Sequence, residues 1–484
     1  MKDDTNAETR YPHHASIDIL GEIFIHCLAE IPPNCHPDDL DPLNDWGCWM
    51  SERQVILRQQ QPFKLAAVCS NWRAACLATP RVWQNLDISL NGPALIRAGA
   101  TATMVHDVLR YSGAVSLSVR LFHWYFSIHR HRQWNDPEVE LLVAALQAAM
   151  ARCGTLVVSG HVSHQLVFDP LGRILRVSTP KLRTASLCGD FWVGNGEAGL
   201  HPPEASILPN VDLLRHLELD GSFLYGFQDI SSCSNVERVT LRGRVWAAQN
   251  LGLAFRFLST APQLARVIVD NPVEKYMPED PPRAASCEAV QKLLVNMDRD
   301  TGPRGWSLSI GLDLNVMLNL SFPRLQAIEL RGCAESGVDC LTLLRHLVSP
   351  NHTTEVVLHG MSGIIFLPAL EQARKLRSLT LVGITFENRE RFKEWCDDFG
   401  ESVRNHGARW QQKLEQLCLY DVVFGASQDA SGLAELAPFN ETVFTELTRL
   451  KKFEVVEKGD SYSCRADLAG LLAFWTLTES QSAV

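Results

Sequence analysis

Apolar residues recur along this chain in two registers. Near the start, Ile17, Leu20, Ile23, Phe24 and Leu28 follow one another at spacings of three and four. That spacing predicts one apolar stripe on a helix over residues 17–29. Pro32 and Pro33 stop it. The stretch 32–61, PPNCHPDDLDPLNDWGCW followed by a glutamine-rich run, predicts a long loop. A second helical segment is expected from about Pro62 to Ala78, with Phe63, Leu65, Ala66, Val68, Cys69 and Trp72 among its apolar positions. Pro80 ends it, and Trp83, Leu86 and Ile88 lead into a strand. Residues 1–14 are charged and polar, as a mobile tail would be.

From about residue 112 the texture changes to a repeated L-x-x-L-x-L. It reads LRTASL at 182–187, LRHLEL at 214–219, VERVTL at 236–241 and LARVIV at 264–269. It continues as LQAIEL at 325–330, TEVVL at 354–358, LRSLTL at 376–381, LEQLCL at 414–419 and LKKFEV at 450–455. VSLSVRL at 115–121, GTLVVSG at 154–160 and WSLSI at 306–310 are weaker copies. The last positions of each unit alternate as a half-buried strand does. Helical segments separate many of them: VELLVAALQAAMARC (139–153), CLTLLRHLV (340–348), RERFKEWCDDFGESVRNH (389–406) and FTELTRL (444–450). Strand, crossover helix and strand in succession predict an α/β fold with a parallel sheet and right-handed connections. No single unit can bury its own apolar face, so neighbours must stack. The expectation for 91–484 is an irregular right-handed leucine-rich-repeat solenoid, a horseshoe with loops of unequal length. A longer gap separates the fourth and fifth clear units. It holds NPVEKYMPEDPPRAAS at 271–286, a proline-rich and charged surface excursion.

Composition narrows the class. The 484 residues are 46% hydrophobic and 21% charged, a globular balance, and the net charge of −10 lacks the electrostatic footprint of a nucleic-acid binder. The N-terminus has no apolar core of a signal peptide, and no apolar run of membrane-spanning length appears. The 14 cysteines are scattered singly, so reduced thiols in a cytoplasmic or nuclear protein are expected. The glycosylation pattern at Asn319, Asn351 and Asn440 is then a matter of chance.

The strings IDILGEIFIHCL at 17–28 and FKLAAVCSNWRAACLATPRVWQNLDI at 63–88 resemble the F-box of leucine-rich-repeat F-box proteins, a family expanded in mushroom-forming fungi. The second string is the more specific, with Val-Cys-x-x-Trp-Arg at its centre and Thr-Pro-Arg-x-Trp after it. VHDVLRYSGAVSLSVRL at 105–121 looks like the family's passage from box to first repeat. The resemblance implies an F-box-like domain over 15–90 with an inserted loop at 32–61. It implies a substrate-recognition subunit of a cullin–RING ubiquitin ligase, whose box docks the Skp adaptor and, through it, the cullin. Ile17, Ile19, Leu20, Ile23, Phe24, Leu65, Val68, Cys69 and Trp72 would make the adaptor contacts. Ala15 and Ser16 stand where family boxes open with Leu-Pro. The alternative is a repeat scaffold whose degenerate box caps the solenoid, with no ligase attached.

The residues offer little chemistry of their own. Gly194, Gly196 and Gly199 fit G-x-G-x-x-G, but Pro202 and Pro203 follow in place of the helix that a phosphate cradle needs. His129 with His131, and His161 with His164, lack the further ligands of a zinc site. Neither a metal nor a cofactor is expected, and no catalysis. RLFHWYFSIHRHRQW at 120–134 mixes aromatic and basic residues and reads as a strand face with a basic turn, as a contact for a protein, or as a surface that stacks bases and binds phosphate. A protein substrate is expected on the strand side of the repeats, on positions between the buried leucines: Arg215, Glu218, Glu329, Arg377 and Glu415, with Glu237, Thr240, Thr380 and Cys418 beside them.

Overall fold

The computed structural model describes residues 16–29, 52–90, 97–123, 136–160, 170–188, 207–220, 233–242, 248–270, 284–296, 317–331, 337–360, 366–386 and 413–424, with short pieces at 162–163, 191–192, 223, 390–399 in part, 452–457 and 464–467. The chain forms two compact units, Met1–Cys233 and Ser234–Val484.

The first unit opens with helices α1 (Ile17–Ala29), α2 (Glu52–Val68) and α3 (Ser70–Ala78), then a 3-10 turn at Pro80–Trp83. Strands β1 (Asn85–Ser89), β2 (Leu117–His123), β3 (Cys153–Gly160), β5 (Thr184–Cys188) and β7 (His216–Asp220) follow and pair in that order, all parallel. Two short strands, β4 (Val162–Ser163) and β6 (Phe191–Trp192), pair beside them. Helices α4 (Ala98–Tyr111), α5 (Pro137–Met150) and α6 (Pro170–Leu175) lie between strands. Helix α5 shows why such a segment is helical. Asp136 caps it by accepting from the Glu138 N–H at 2.9 Å, Pro137 starts it, and Val139, Leu142, Val143, Leu146 and Met150 form its buried stripe. Arg152, just past its end, donates to the Leu109 and Val115 carbonyls, each at 2.8 Å, and to the Ser112 hydroxyl at 2.9 Å. It thereby closes the end of α4, whose last carbonyls have no partner within the helix.

In the second unit the strands are β8 (Arg238–Arg242), β9 (Arg266–Asp270), β11 (Lys292–Asn296), β13 (Ala327–Arg331), β14 (Glu355–His359), β15 (Ser378–Val382), β17 (Gln416–Phe424) and β18 (Lys452–Glu457). They pair in that order and are parallel throughout; β19 (Cys464–Asp467) then adds antiparallel to β18. The small strands β10 (Ala285–Ser286) and β12 (Leu320–Ser321) pair with each other, and β16 (Thr385–Phe386) pairs with β17. Helices α7 (Ala248–Thr260), α8 (Gly337–Leu347) and α9 (Leu367–Leu370) lie between strands.

The leucine template accounts for these strands. Leu217 and Leu219, Leu379 and Leu381, and Leu417 and Leu419 are all buried, and the register stacks Leu379 on Leu417 and Leu381 on Leu419. The first leucine of a unit closes a turn: Leu182 N–H bonds to Thr179, Leu214 to Val211, Leu264 to Ala261, Leu325 to Phe322 and Leu376 to Ala373. Of the weaker copies, 115–121 and 154–160 are β2 and β3, while 306–310 lies outside the described residues. The long gap contains β11, which the template missed because Val290 and Val295 stand for two of its leucines around Leu293. In β14 the first leucine is replaced by Thr353, fully buried. Its hydroxyl accepts from the Ser349 N–H at 2.9 Å and donates to the Leu325 carbonyl at 3.2 Å, so it meets the preceding repeat by a hydrogen bond where the others use a methyl. Gly360 and Gly383 follow β14 and β15 with φ of 73° and 71°, a turn that side chains resist.

Two expectations change. Residues 52–61, expected as loop, are helical, because α2 begins at Glu52; its ERQVILRQQQ is built of good helix formers and outlasts the Pro62 within it, while 32–51 lie outside the described residues. The helix expected over 62–78 is two helices, broken at Cys69. Expected segments at 400–406 and 444–450 lie outside the described residues.

Replacing Thr353 by Val keeps the shape but strands the Ser349 N–H and the Leu325 carbonyl. The expected cost is about 1–3 kcal/mol in urea unfolding, against a smaller cost for Thr353→Ser, which keeps the hydroxyl.

Candidate functional site

Two regions carry the residues singled out in the sequence. The first is the N-terminal helical segment. Helix α2 stops at Val68 and Cys69 turns extended, where its sulfur accepts from the Trp72 N–H at 3.5 Å and caps α3. Across that break the Arg73 guanidinium donates to the Ala66 carbonyl at 3.1 Å, serving one of α2's last carbonyls. Helix α1 lies against α3. It comes close because Gly21 has no Cβ; one placed there would clash with the Thr79 hydroxyl. Phe24 faces the Trp72 ring at 4.9 Å, and Phe63 and Tyr111 flank Trp83 at 5.0 and 4.8 Å. The Trp83 indole N–H donates to the Cys76 carbonyl at 2.8 Å. Burial pushes the Cys76 thiol up to about 11, so it is a packing group and not a nucleophile.

With these contacts made, several large apolar side chains remain outside. Ile17 is 46% exposed, Ile19 57%, Ile23 47% and Val68 59%. Ile19 and Ile23 sit one turn apart on α1. Cys69 is exposed, and Leu20, Leu65 and Trp72 are half-buried. Leu77 on α3 is exposed too and was not anticipated. Phe24 departs from the expected set: at 1% exposure it is a core residue of the helical segment and not a surface contact. Helical spacing alone could not separate it from Ile23, since neighbouring residues face different sides of a helix.

The second region is the strand face opposite the buried leucines. Arg215 and Arg377 are exposed and sit just before β7 and β15; Glu415, half-buried, sits just before β17. Glu218 is half-buried and accepts from the Cys188 thiol at 3.9 Å. Glu329 is held by two partners, the Arg331 Nε at 2.7 Å and the His359 Nε2 at 3.1 Å. Burial pushes the Glu329 carboxyl up, but the His359 hydrogen bond and the Arg331 charge outweigh it and hold the group below the usual carboxylate range. Glu237 and Thr380 are half-buried, whereas Thr240 and Cys418 are buried and offer nothing to a partner.

Of the aromatic and basic run at 120–134, the described residues are 120–123. Arg120 is buried on β2 with its Nε 3.6 Å from the Asp87 carboxylate, and Leu121 and Phe122 are buried beside it. Residues 124–134 lie outside the described residues, as do the two histidine pairs, Gly194, Gly196 and Gly199, and most of 271–286. Among the described residues no cluster of metal-ligating side chains occurs, nine cysteines (Cys27, Cys69, Cys76, Cys153, Cys188, Cys233, Cys287, Cys340 and Cys418) take part in no disulfide, and no helix is long and apolar enough to cross a membrane.

No family model matches the chain, and no curated protein sequence matches it. Among solved structures, it is similar to the leucine-rich repeat-containing protein LegL7 from Legionella pneumophila, at 11% identity and a TM-score of 0.34, over 76% of this chain and 97% of that one. The strands described above, parallel and stacked on recurrent leucines, have the form of a leucine-rich-repeat fold.

Because its folded-state value is depressed, Glu329 contributes stability that is present above its unfolded value and lost as pH falls through the folded one. The stability gap between wild type and Glu329→Gln is therefore expected to be full above about pH 4.3 and to close below it. Urea unfolding across that range measures it.

Proposed function

We propose that the chain is a substrate-recognition subunit of a cullin–RING ubiquitin ligase. Helices α1 to α3 act as an F-box that docks the Skp adaptor, and the repeats hold a protein substrate. The observation that carries this reading is the set Ile17, Ile19, Ile23 and Val68, large apolar side chains exposed on a segment whose own core is already closed by Phe24, Trp72, Phe63 and Trp83. Isolated exposed apolar residues are ordinary, but four on so short a segment leave apolar surface for a partner to cover. The resemblance of 17–28 and 63–88 to the F-box names the partner. In this reading the chain supplies binding and position, without catalysis, metal or cofactor, and works in the cytoplasm or nucleus.

A second reading has its own support. Helix α2 packs against β1, which among the described residues is flanked by no strand on its far side. The helices can therefore serve as a cap on a sheet edge, which open edges require. A scaffold with a degenerate box would need no more than that.

The two readings separate on surface variants. In the full chain, Ile19→Glu and Val68→Glu are each expected to weaken capture of recombinant Skp adaptor by about 2 kcal/mol or more while leaving thermal unfolding unchanged. Phe24→Ala is expected to lower stability by about 3–5 kcal/mol. Bound adaptor should also slow alkylation of the exposed Cys69. Wild-type protein that captures no adaptor would leave only the capping role.

A further inference from the structure

We propose that Arg238, Arg266 and Lys292, side by side at the starts of β8, β9 and β11, form a row that binds an acidic segment of a protein partner. The inference deepens the reading of the repeats as a partner-binding surface and does not depend on the adaptor.

The register sets the row. Arg238 and Lys292 are both Cα partners of Arg266. Each cation stands one residue before a core position: Val239, Val267 and Leu293 are buried. Side chains alternate along a strand, so the three cations share the face opposite the core. Parallel strands lie about 4.8 Å apart, which brings three positive charges within about 10 Å.

Like charges directly across a strand pair destabilise a sheet, and this fold gains nothing visible from the arrangement. Arg266 and Lys292 are exposed, and neither side chain has a hydrogen-bond or ion-pair partner among the described residues; Arg238 is half-buried and already engaged, so it adds its charge to the row while Arg266 and Lys292 supply the open contacts. Elsewhere on the same face Glu329 is matched by Arg331 and His359. The next residues along the row are Ala327 and then Glu355, the first carboxylate, two strands beyond Lys292. The row therefore runs from positive to negative and would orient what binds it.

The neighbouring positions strengthen an ionic contact there. Thr240, Ile268 and Leu294 are the next residues on this face of the same three strands, and all are buried. The cations border a dry strip, where an ion pair is screened less than on open surface. A protein segment with a few carboxylates fits better than a nucleic acid. The site offers three cations and then a carboxylate, and the chain's net charge of −10 repels a long polyanion.

The test uses the full chain and a fluorescein-labelled peptide of alternating Glu and Gly, followed by fluorescence anisotropy at low ionic strength. Wild type is expected to bind it, and to ignore the same peptide with Gln for Glu. Arg266→Glu with Lys292→Glu is expected to lose about tenfold or more of that affinity. The same change makes the contact of Arg238 with position 266 attractive while positions 266 and 292 stay alike in charge, so its melting temperature should hold, which a merely structural role would not give. Should that variant fail to fold, Arg266→Gln with Lys292→Gln is expected to show the same loss. The proposal is overturned if wild type does not bind the Glu peptide, if folded variants bind it as well as wild type, or if a single-stranded oligonucleotide binds this row more tightly than the peptide. Adaptor capture through α1 to α3 is expected to be the same in wild type and variants, so failure of this row and failure of the ligase reading are told apart.

Discussion

Before strand after strand, one carbonyl oxygen accepts two successive backbone N–H groups from the next repeat. In the second unit the Glu237 carbonyl takes Ala265 and Arg266, the Ala265 carbonyl takes Gln291 and Lys292, and the Gln291 carbonyl takes Gln326 and Ala327. Gln326 then takes Thr354 and Glu355, Thr354 takes Arg377 and Ser378, and Arg377 takes Glu415 and Gln416. In the first unit Arg183 does the same for Arg215 and His216. A buried backbone group must find a partner, and here the partner is always the adjoining repeat. Each repeat is incomplete alone, in its hydrogen bonds as in its apolar face. The chain must therefore build by stacking, and it fixes the register at every step.

That constraint divides the positions sharply. Residues at the clamp and at the leucine rows answer to the neighbouring repeat, and they tolerate only substitutes that keep the contact, such as valine at 290 and 295 or the hydroxyl of Thr353. Residues on the opposite face are not tied to the leucine rows, although some of them, such as Thr240, Ile268 and Cys418, are buried as well. Some find local partners, as Glu329 does with Arg331 and His359. The N-terminal helices obey a different rule: aromatic contacts among Phe24, Trp72, Phe63 and Trp83 close a small core, and the surplus isoleucines of α1 stay outside it.

This division explains what was legible in the sequence. A leucine row is a strong signal, because position and chemistry are both prescribed; every clear copy of the template that lies in the described residues is a strand. β11 escaped because the fold reads volume and not leucine as such, and Thr353 because a hydrogen bond can do the same task. Helix α2 was misjudged because its first turns carry arginines and glutamines, which favour a helix without marking a face. At the candidate site, spacing identified the helices but not their sides. Phe24 and Ile23 are adjacent, one buried and the other exposed, and only the packing of α1 on α3 decides between them.

Charge was the least legible property, since a strand face of mixed sign says nothing of which charges are already matched. Glu329 and Lys292 look equivalent as letters on neighbouring strands. In the fold, Glu329 is engaged by Arg331 and His359, and its carboxyl is held below the usual carboxylate range, so displacing those partners would cost a ligand much of what it gained. Lys292 and Arg266 have no such prior commitment. An incoming carboxylate would meet them without breaking any contact, and it would relieve a repulsion that the stacked register imposes. The stacking that makes one face obligatory thus sets like charges side by side on the other, and a carboxylate brought by a partner would lower that repulsion.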